Sequence, residues 1–348
     1  MWYALQGQVP VLLPGDDCVK LPASFRRRHG DRLSDFLQQL LQRDGSKRLR
    51  CHEAVISAYL NTSLVVDREA DGQIVALQNK KEALFECIQS MRSSRGRLYL
   101  RIRREALVDD VAQALLSAPR SDLLRKFSVQ FDGEPGVDAG GLTAEMYSSF
   151  FRALLSPESL LFESSGSEES EGKVLYLPKR LGAELCDDMR DELLSMLEGV
   201  GRLLVKAIFD GQPVPAPFAP SLYKYLLGMD PNLHDLAAFD PTLSEQLRML
   251  LDAEDAEDLG IDFEDVGDPP EDVTNENRER YLRRAVIYHL VDCRSEELEY
   301  FARGFKAIGI HAHLNLFSAA ELMGIVYGQQ DATGSWCGGG LVLSMHRK

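Results

Sequence analysis

The sequence predicts an α+β fold, mostly helical with a few short strands, preceded by an N-terminal helical stretch that is harder to read. Three observations carry this. Apolar residues recur at helical spacing in several separate segments. Phe127, Val129 and Phe131 alternate with polar residues, as a half-buried strand does. Runs of Gly, Pro, Ser and acidic residues punctuate these segments and mark turns.

Composition bounds the function. With 45% hydrophobic and 27% charged residues over 348 positions, the chain can bury a core and is long enough for two domains. It has no apolar run of bilayer length, and its apolar start, broken by Pro10 and Pro14, lacks the basic leader of a secretory signal. Six scattered cysteines without a C-x-x-C pair argue against a disulfide scaffold or zinc ribbon. They fit a reducing compartment, the cytoplasm or alternatively the nucleus. The net charge of -15 disfavours nucleic-acid binding, which needs concentrated positive charge. Residues 1–50 depart from the rest, with nine Lys/Arg against five Asp. Arg26-Arg27-Arg28 has no interleaved aromatics, however, and reads as a solvated helix face.

In chain order, residues 1–95 form a region of unknown role, mainly helical, with helical patterns at 33–41 and 54–60 and a strand-like run at 63–66. Leu98-Tyr99-Leu100 leads into a helix near 104–116, where Leu107, Val111 and Leu115 share a face. After the strand at 127–131 come a Gly-rich turn and a helix bearing Leu142, Met146, Phe150 and Leu154. Residues 163–172 contain no apolar side chain and read as a surface loop. An apolar helix at 189–209 is followed by Pro213, Pro215, Pro217 and Pro220. Leu243, Leu247, Leu250 and Leu251 make an amphipathic helix. From Asp252 to Asp272 there are eleven acidic residues and no base, a solvated connection with one apolar insert, Ile261 and Phe263. Helices follow Thr274 and Ser295, and Ser318 with Glu321 forms a capping box for a last short helix.

The Gly133–Gly141 stretch matches neither phosphate-binding glycine pattern, so nucleotide binding is set aside. Glu134 and Asp138 suit turn and cap roles better than an acid–base pair, Asp138 lying just before a helix start. His311 and His313 have no partner at ligand spacing, so no metal and no cofactor is expected.

Three blocks in order carry a family resemblance: VQFDGEPGVDAGGLTAEMY from Val129; GRLLVKAIFDGQPVPAPFAPSLYKYLLG from Gly201, followed by FDPTLSEQLRMLLD; and VTNENRERY from Val273, followed by FARGFKAI and LFSAAELMGIVYG. Together they resemble the HECT family of ubiquitin ligases. The resemblance implies the large, amino-terminal HECT lobe over residues 96–328, with a subdomain at about 229–300 that docks a ubiquitin-conjugating enzyme. In this family ubiquitin passes through a cysteine thioester on a small lobe to a substrate lysine, which splits one acyl transfer into two.

Position by position, the resemblance implies docking by Leu247, Leu250, Leu251, Ile261, Phe263 and Leu298, and a ubiquitin contact near Leu161-Phe162-Glu163. Helix packing is the alternative for Leu247 and Leu251. The family's strand pair between Phe263 and Val273 is cut to residues 264–272, so the docking subdomain is expected to be trimmed. Residues 329–348 are expected to be an irregular tail where the small lobe would stand. Cys337 lacks the family's Thr-Cys-Phe setting and is not expected to be the nucleophile. The alternative to a ligase is an adaptor that binds a conjugating enzyme without transferring ubiquitin.

Overall fold

The structure, a computed structural model, describes residues 70–93, 96–165, 174–182 and 184–327, with side chains from residue 77. The readings at 33–41, 54–60, 63–66, 166–172, Arg26–Arg28, Cys18, Cys51, Cys337 and the tail lie outside these residues. The chain divides into two compact units between Ile74 and Val75. Helix α1 (Ala70–Met91) enters the second unit and buries Leu84 and Ile88 in its core.

Leu98–Leu100 leads into the helical segment that begins at Arg104, as read from the sequence. It belongs to strand β1 (Arg97–Ile102), which pairs in parallel with β2 (Lys126–Phe131), Leu98 facing Phe127 and Ile102 facing Phe131. A parallel pair needs a crossover, and α2 (Leu107–Ser117) with the short α3 (Arg120–Leu123) supplies it. Leu107, Val111 and Leu115 are buried as their spacing predicts, and so are Phe127, Val129 and Phe131. The outward residues of β1, Arg97, Tyr99 and Arg101, stay exposed.

Asp138 ties β2 to the next helix, α4 (Gly141–Leu154). One carboxylate oxygen accepts from the Val129 amide and the Thr143 hydroxyl, the other from the amides of Gly140 and Thr143. Burial pushes this carboxyl up, but the donors outweigh it and hold the group below its ordinary value. Gly140 adopts φ 112°, which a side chain would strain, so the first glycine of the GG pair is a backbone requirement.

A two-stranded antiparallel ribbon follows, β3 (Phe162–Ser164) with β4 (Tyr176–Pro178), and then the long α5 (Asp187–Asp210). The Pro-rich exit from α5 is ordered by the ribbon. The Tyr176 amide donates to Pro217, and the Ala219 amide donates back to Tyr176. Pro220 then opens α6 (Pro220–Leu226) at its first turn, where a missing N–H costs nothing. The remaining helices are α7 (Leu233–Phe239), α8 (Pro241–Asp252), α9 (Arg278–Leu290), α10 (Ser295–Phe305), α11 (His311–Leu314) and α12 (Ala319–Tyr327). The Ser318–Glu321 capping box is present in both directions. Glu321 also pairs with Lys80 of α1 at 2.8 Å.

The core is organised on α5 and α10, which approach through glycines. A Cβ at Gly201 would lie 2.1 Å from the Phe301 carbonyl oxygen, and one at Gly304 would lie 2.0 Å from that of Glu198. Gly201 opens the second block and Gly304 sits in FARGFKAI, so both motifs encode one helix crossing. Around it Phe162, Phe218 and Phe301 cluster with ring centroids 5.3 to 6.3 Å apart.

Candidate partner-docking site

The region at about 229–300 is built on α7, α8 and α9, the first two fixed by local capping signals. Asn232 and Asp235 form a reciprocal capping box at α7. Asp240 accepts from the Leu243 amide at 2.9 Å to cap α8, which Pro241 opens. Lys224 of α6 pairs with Asp235 and anchors the subdomain to the body.

The acidic segment between α8 and α9 is more ordered than a solvated connection. It contains two turns of 3₁₀ helix, Glu257–Leu259 and Phe263–Val266, and buries Ala256, Phe263 and Val266. The missing strand pair is reduced to one antiparallel bridge between Asp262 and Asp272, flanked by bonds from the Phe263 amide to Glu271 and the Val273 amide to Ile261. Eleven carboxylates without a base would repel one another, and the counter-charge comes from the VTNENRERY motif. Asn275 accepts from the Ala256 amide at 3.0 Å, and Asn277 donates to Asp272 and Glu271. The Arg278 guanidinium reaches the Ala253 carbonyl at 2.7 Å. Arg280 pairs with Glu271 and lies 4.4 Å from the centroid of the Phe263 ring. That pairing holds the Glu271 carboxyl below its ordinary value. Arg284 pairs with Asp268 at 2.7 Å, and Tyr281 meets Phe263 edge-on at 5.2 Å.

The six residues singled out by the resemblance fall into three settings. Leu247, Leu250 and Phe263 are buried beneath the surface of the subdomain. Leu251 and Ile261 are half-buried. Leu298 is 1% exposed on α10, which packs along α5 and α6 rather than presenting it to solvent. The surface of the subdomain instead carries two apolar residues not singled out from the sequence, Met249 (62% exposed) and Leu259 (49% exposed). Helical periodicity assigned Leu247 and Leu250 to one face, but it could not say which side of that face is covered. An apolar residue off the stripe was the available signal for Met249.

Near the expected ubiquitin contact, Leu161 and Phe162 are buried. Glu163 pairs with Arg294, whose guanidinium also donates to the Pro178 carbonyl at 2.9 Å. Glu297, also buried, accepts from the Leu181 amide at 2.7 Å. These groups fasten the β3–β4 ribbon to the α9–α10 junction. Among the described residues the free cysteines are Cys87, Cys186 and Cys293. Cys186 is the exposed N-cap of α5, and Cys293 lies in a 3₁₀ turn, donating to the His289 carbonyl. Also among the described residues, no group of three His, Cys, Asp or Glu is placed to hold a metal, and no helix is long and apolar enough to cross a membrane.

A helical lobe with a parallel strand pair and a capped, arginine-neutralised acidic subdomain defines the class. Residues 148–336 match the family described as HECT-domain (ubiquitin-transferase), and the chain belongs to that family. It is 29% identical, over 92% of its length, to a bifunctional serine/threonine-protein kinase/NEDD4-like E3 ubiquitin-protein ligase of Dictyostelium discoideum, covering 20% of that protein. It is 26% identical over 88% of its length to the E3 ubiquitin-protein ligase UPL1 of Arabidopsis thaliana, covering 8% of it. It is 26% identical over 74% of its length to the E3 ubiquitin-protein ligase TOM1 of Saccharomyces cerevisiae, again covering 8%. The chain thus spans a fifth or less of each of these relatives.

Proposed function

We propose that residues 75–327 act as the large lobe of a HECT-type ubiquitin-protein ligase and dock a charged ubiquitin-conjugating enzyme on the acidic helical subdomain. The observation that carries this reading is the VTNENRERY clamp. Asn275, Asn277, Arg278 and Arg280 hold the acidic segment against α8 and α9. Held there, it leaves Met249 and Leu259 exposed and Leu251 and Ile261 half-exposed among carboxylates. A few apolar anchors ringed by charge suit a weak, exchangeable contact, and the surplus of carboxylates steers a basic partner surface. In this reading Leu247, Leu250, Phe263 and Leu298 shape the surface from beneath and touch no partner. The ligase passes ubiquitin through a cysteine thioester to substrate lysines, and the accepting cysteine lies outside the described residues.

The test is binding of a panel of ubiquitin-conjugating enzymes to the full chain and to Met249→Glu and Leu259→Glu. A buried charge at either anchor is expected to weaken binding by about tenfold, or about 1.4 kcal/mol. Unchanged binding by both variants, with their folds intact, refutes the surface. A reducible ubiquitin adduct on the chain would place the transfer cysteine within it. Binding without any adduct would favour the adaptor reading.

A further inference from the structure

The residues between Arg92 and Arg104 include six arginines and no acid, in a chain whose net charge is -15. The fold concentrates part of this charge. A cavity of about 200 Å³ opens beside the ends of β1 and β2, lined by Arg92, Arg97, Lys126, Gly140, Thr143 and Asp210 among others. Among the described residues its three cations have no carboxylate partner. Arg92 spends one donor on the Phe209 carbonyl and stacks on that ring at 5.1 Å, while its Nε is buried without a hydrogen bond. Arg97 reaches only the Asp138 carbonyl, at 3.4 Å. Lys126 makes no ion pair among the described residues. The one acid in the wall, Asp210, is already taken. Buried Lys206 binds both of its oxygens at 2.6 Å, and Tyr147 donates to it as well.

The excess of positive charge is felt inside the protein. Burial lowers the Lys206 ammonium below its ordinary value against the pull of Asp210, and Arg92 and Lys126 push it further in that direction. Beside the cavity, the outer face of the strand pair exposes Arg97 and Tyr99 on β1 next to Lys126 on β2, while Arg101 further along β1 is already paired with Asp132. Clustered cations left without partners at a small cavity form an unmatched receptor for a compact, multiply charged anion. Two guanidinium forks favour planar contact with phosphate oxygens over a point charge.

We propose that this cavity binds a phosphate monoester carried on a protein segment, with Arg92, Arg97 and Lys126 as its ligands and Tyr99 flanking the segment. The site lies between the end of α1, β1, β2 and the start of α4, apart from the acidic subdomain, and the proposal does not depend on the docking reading above.

The test measures binding to the full chain by fluorescence anisotropy, using a labelled Gly-Gly-phosphoserine-Gly-Gly peptide, the same peptide with serine, and a labelled 20-nucleotide RNA. Unlabelled inorganic phosphate serves as competitor. Binding of the phosphopeptide, at least tenfold tighter than the serine peptide and displaced by inorganic phosphate, is expected. Arg97→Gln with Lys126→Gln, both exposed positions, is expected to weaken it by about tenfold or more, since hydrogen bonds to charged groups are the strong class. The charge-matched pair Lys179→Gln with Arg180→Gln, exposed on another part of the surface, is expected to change it less than about twofold, within the reach of screened long-range charge. Equal weakening by the two pairs would reduce the effect to net charge and overturn the site. So would equal binding of the serine and phosphoserine peptides. Tighter binding of the RNA than of the phosphopeptide would overturn the assignment to a protein segment.

Discussion

Gly201→Ala sets two physical effects against each other, and the crossing of α5 with α10 decides the sign. Gly201 lies inside the 24-residue helix α5, where replacing glycine by alanine favours the helix by about 1 kcal/mol on propensity alone. The new Cβ, however, would sit 2.1 Å from the Phe301 carbonyl oxygen and 2.9 Å from the Phe305 amide nitrogen. An ordinary contact at that carbonyl is 3.4 Å, so α10 must move away by about 1.3 Å. Neither obstacle is a flexible side-chain tip; both are helix backbone. A gap of that size forfeits at least a quarter to a half of the dispersion energy along the seam, and overpacking of cores costs about 1–3 kcal/mol or more. The net expectation is a loss of about 2 kcal/mol, despite the better helix former. Gly324→Ala is the control, because a Cβ there meets nothing within 4 Å. It should stabilise the chain by several tenths of a kcal/mol up to about 1. Urea unfolding followed by far-ultraviolet circular dichroism reads both, as a lower midpoint for Gly201→Ala and an equal or higher one for Gly324→Ala with slopes unchanged. A Gly201→Ala protein as stable as the parent would mean that the two helices do not meet backbone to backbone, and the account of the core would fail.

Other consequences are open to measurement. Gly304→Ala should destabilise like Gly201→Ala. The double variant should lose less than the sum, because one separation relieves both clashes; strict additivity would show that the glycines face different neighbours. Asn277→Ala removes the acceptor of the Thr274 amide and two donors to the acidic segment, and should cost about 1–3 kcal/mol. It should also raise hydrogen exchange across residues 255–273 while α5 stays protected, and a uniform rise would refute a local clamp. Asp138→Ala strands the Val129, Gly140 and Thr143 amides, and a loss of about 2–4 kcal/mol is expected. Because the folded Asp138 carboxyl lies below its unfolded value, its contribution is present above that unfolded value, about pH 4, and is lost as pH falls through the folded one. The parent should therefore lose stability on acidification below about pH 4 more steeply than Asp138→Ala, and parallel acid curves would contradict the assignment.

The sequence by itself determined whatever is written within one or two turns of chain. The capping box at Ser318–Glu321, the buried faces of α2 and α4, the strand at Phe127–Phe131 and the cap at Asp138 depend on neighbours a few residues away. Local spacing is enough to encode them, and family membership was legible from the order of three such blocks. Tertiary structure decided what depends on distant partners. Leu98–Leu100 became a strand because Phe127–Val129 lies beside it, a pairing that no local period announces. Leu298, apolar on an amphipathic helix, could have been groove or core until α5 covered it. The acidic segment read as solvated because its counter-charges, Arg278, Arg280 and Arg284, follow it in sequence and meet it only when α9 folds back. The basic cavity was invisible for the same reason: Arg92 with Arg97, Lys126 and Asp210 come from three separate stretches, and only the fold shows that the carboxylate is spoken for while three of the cations are not.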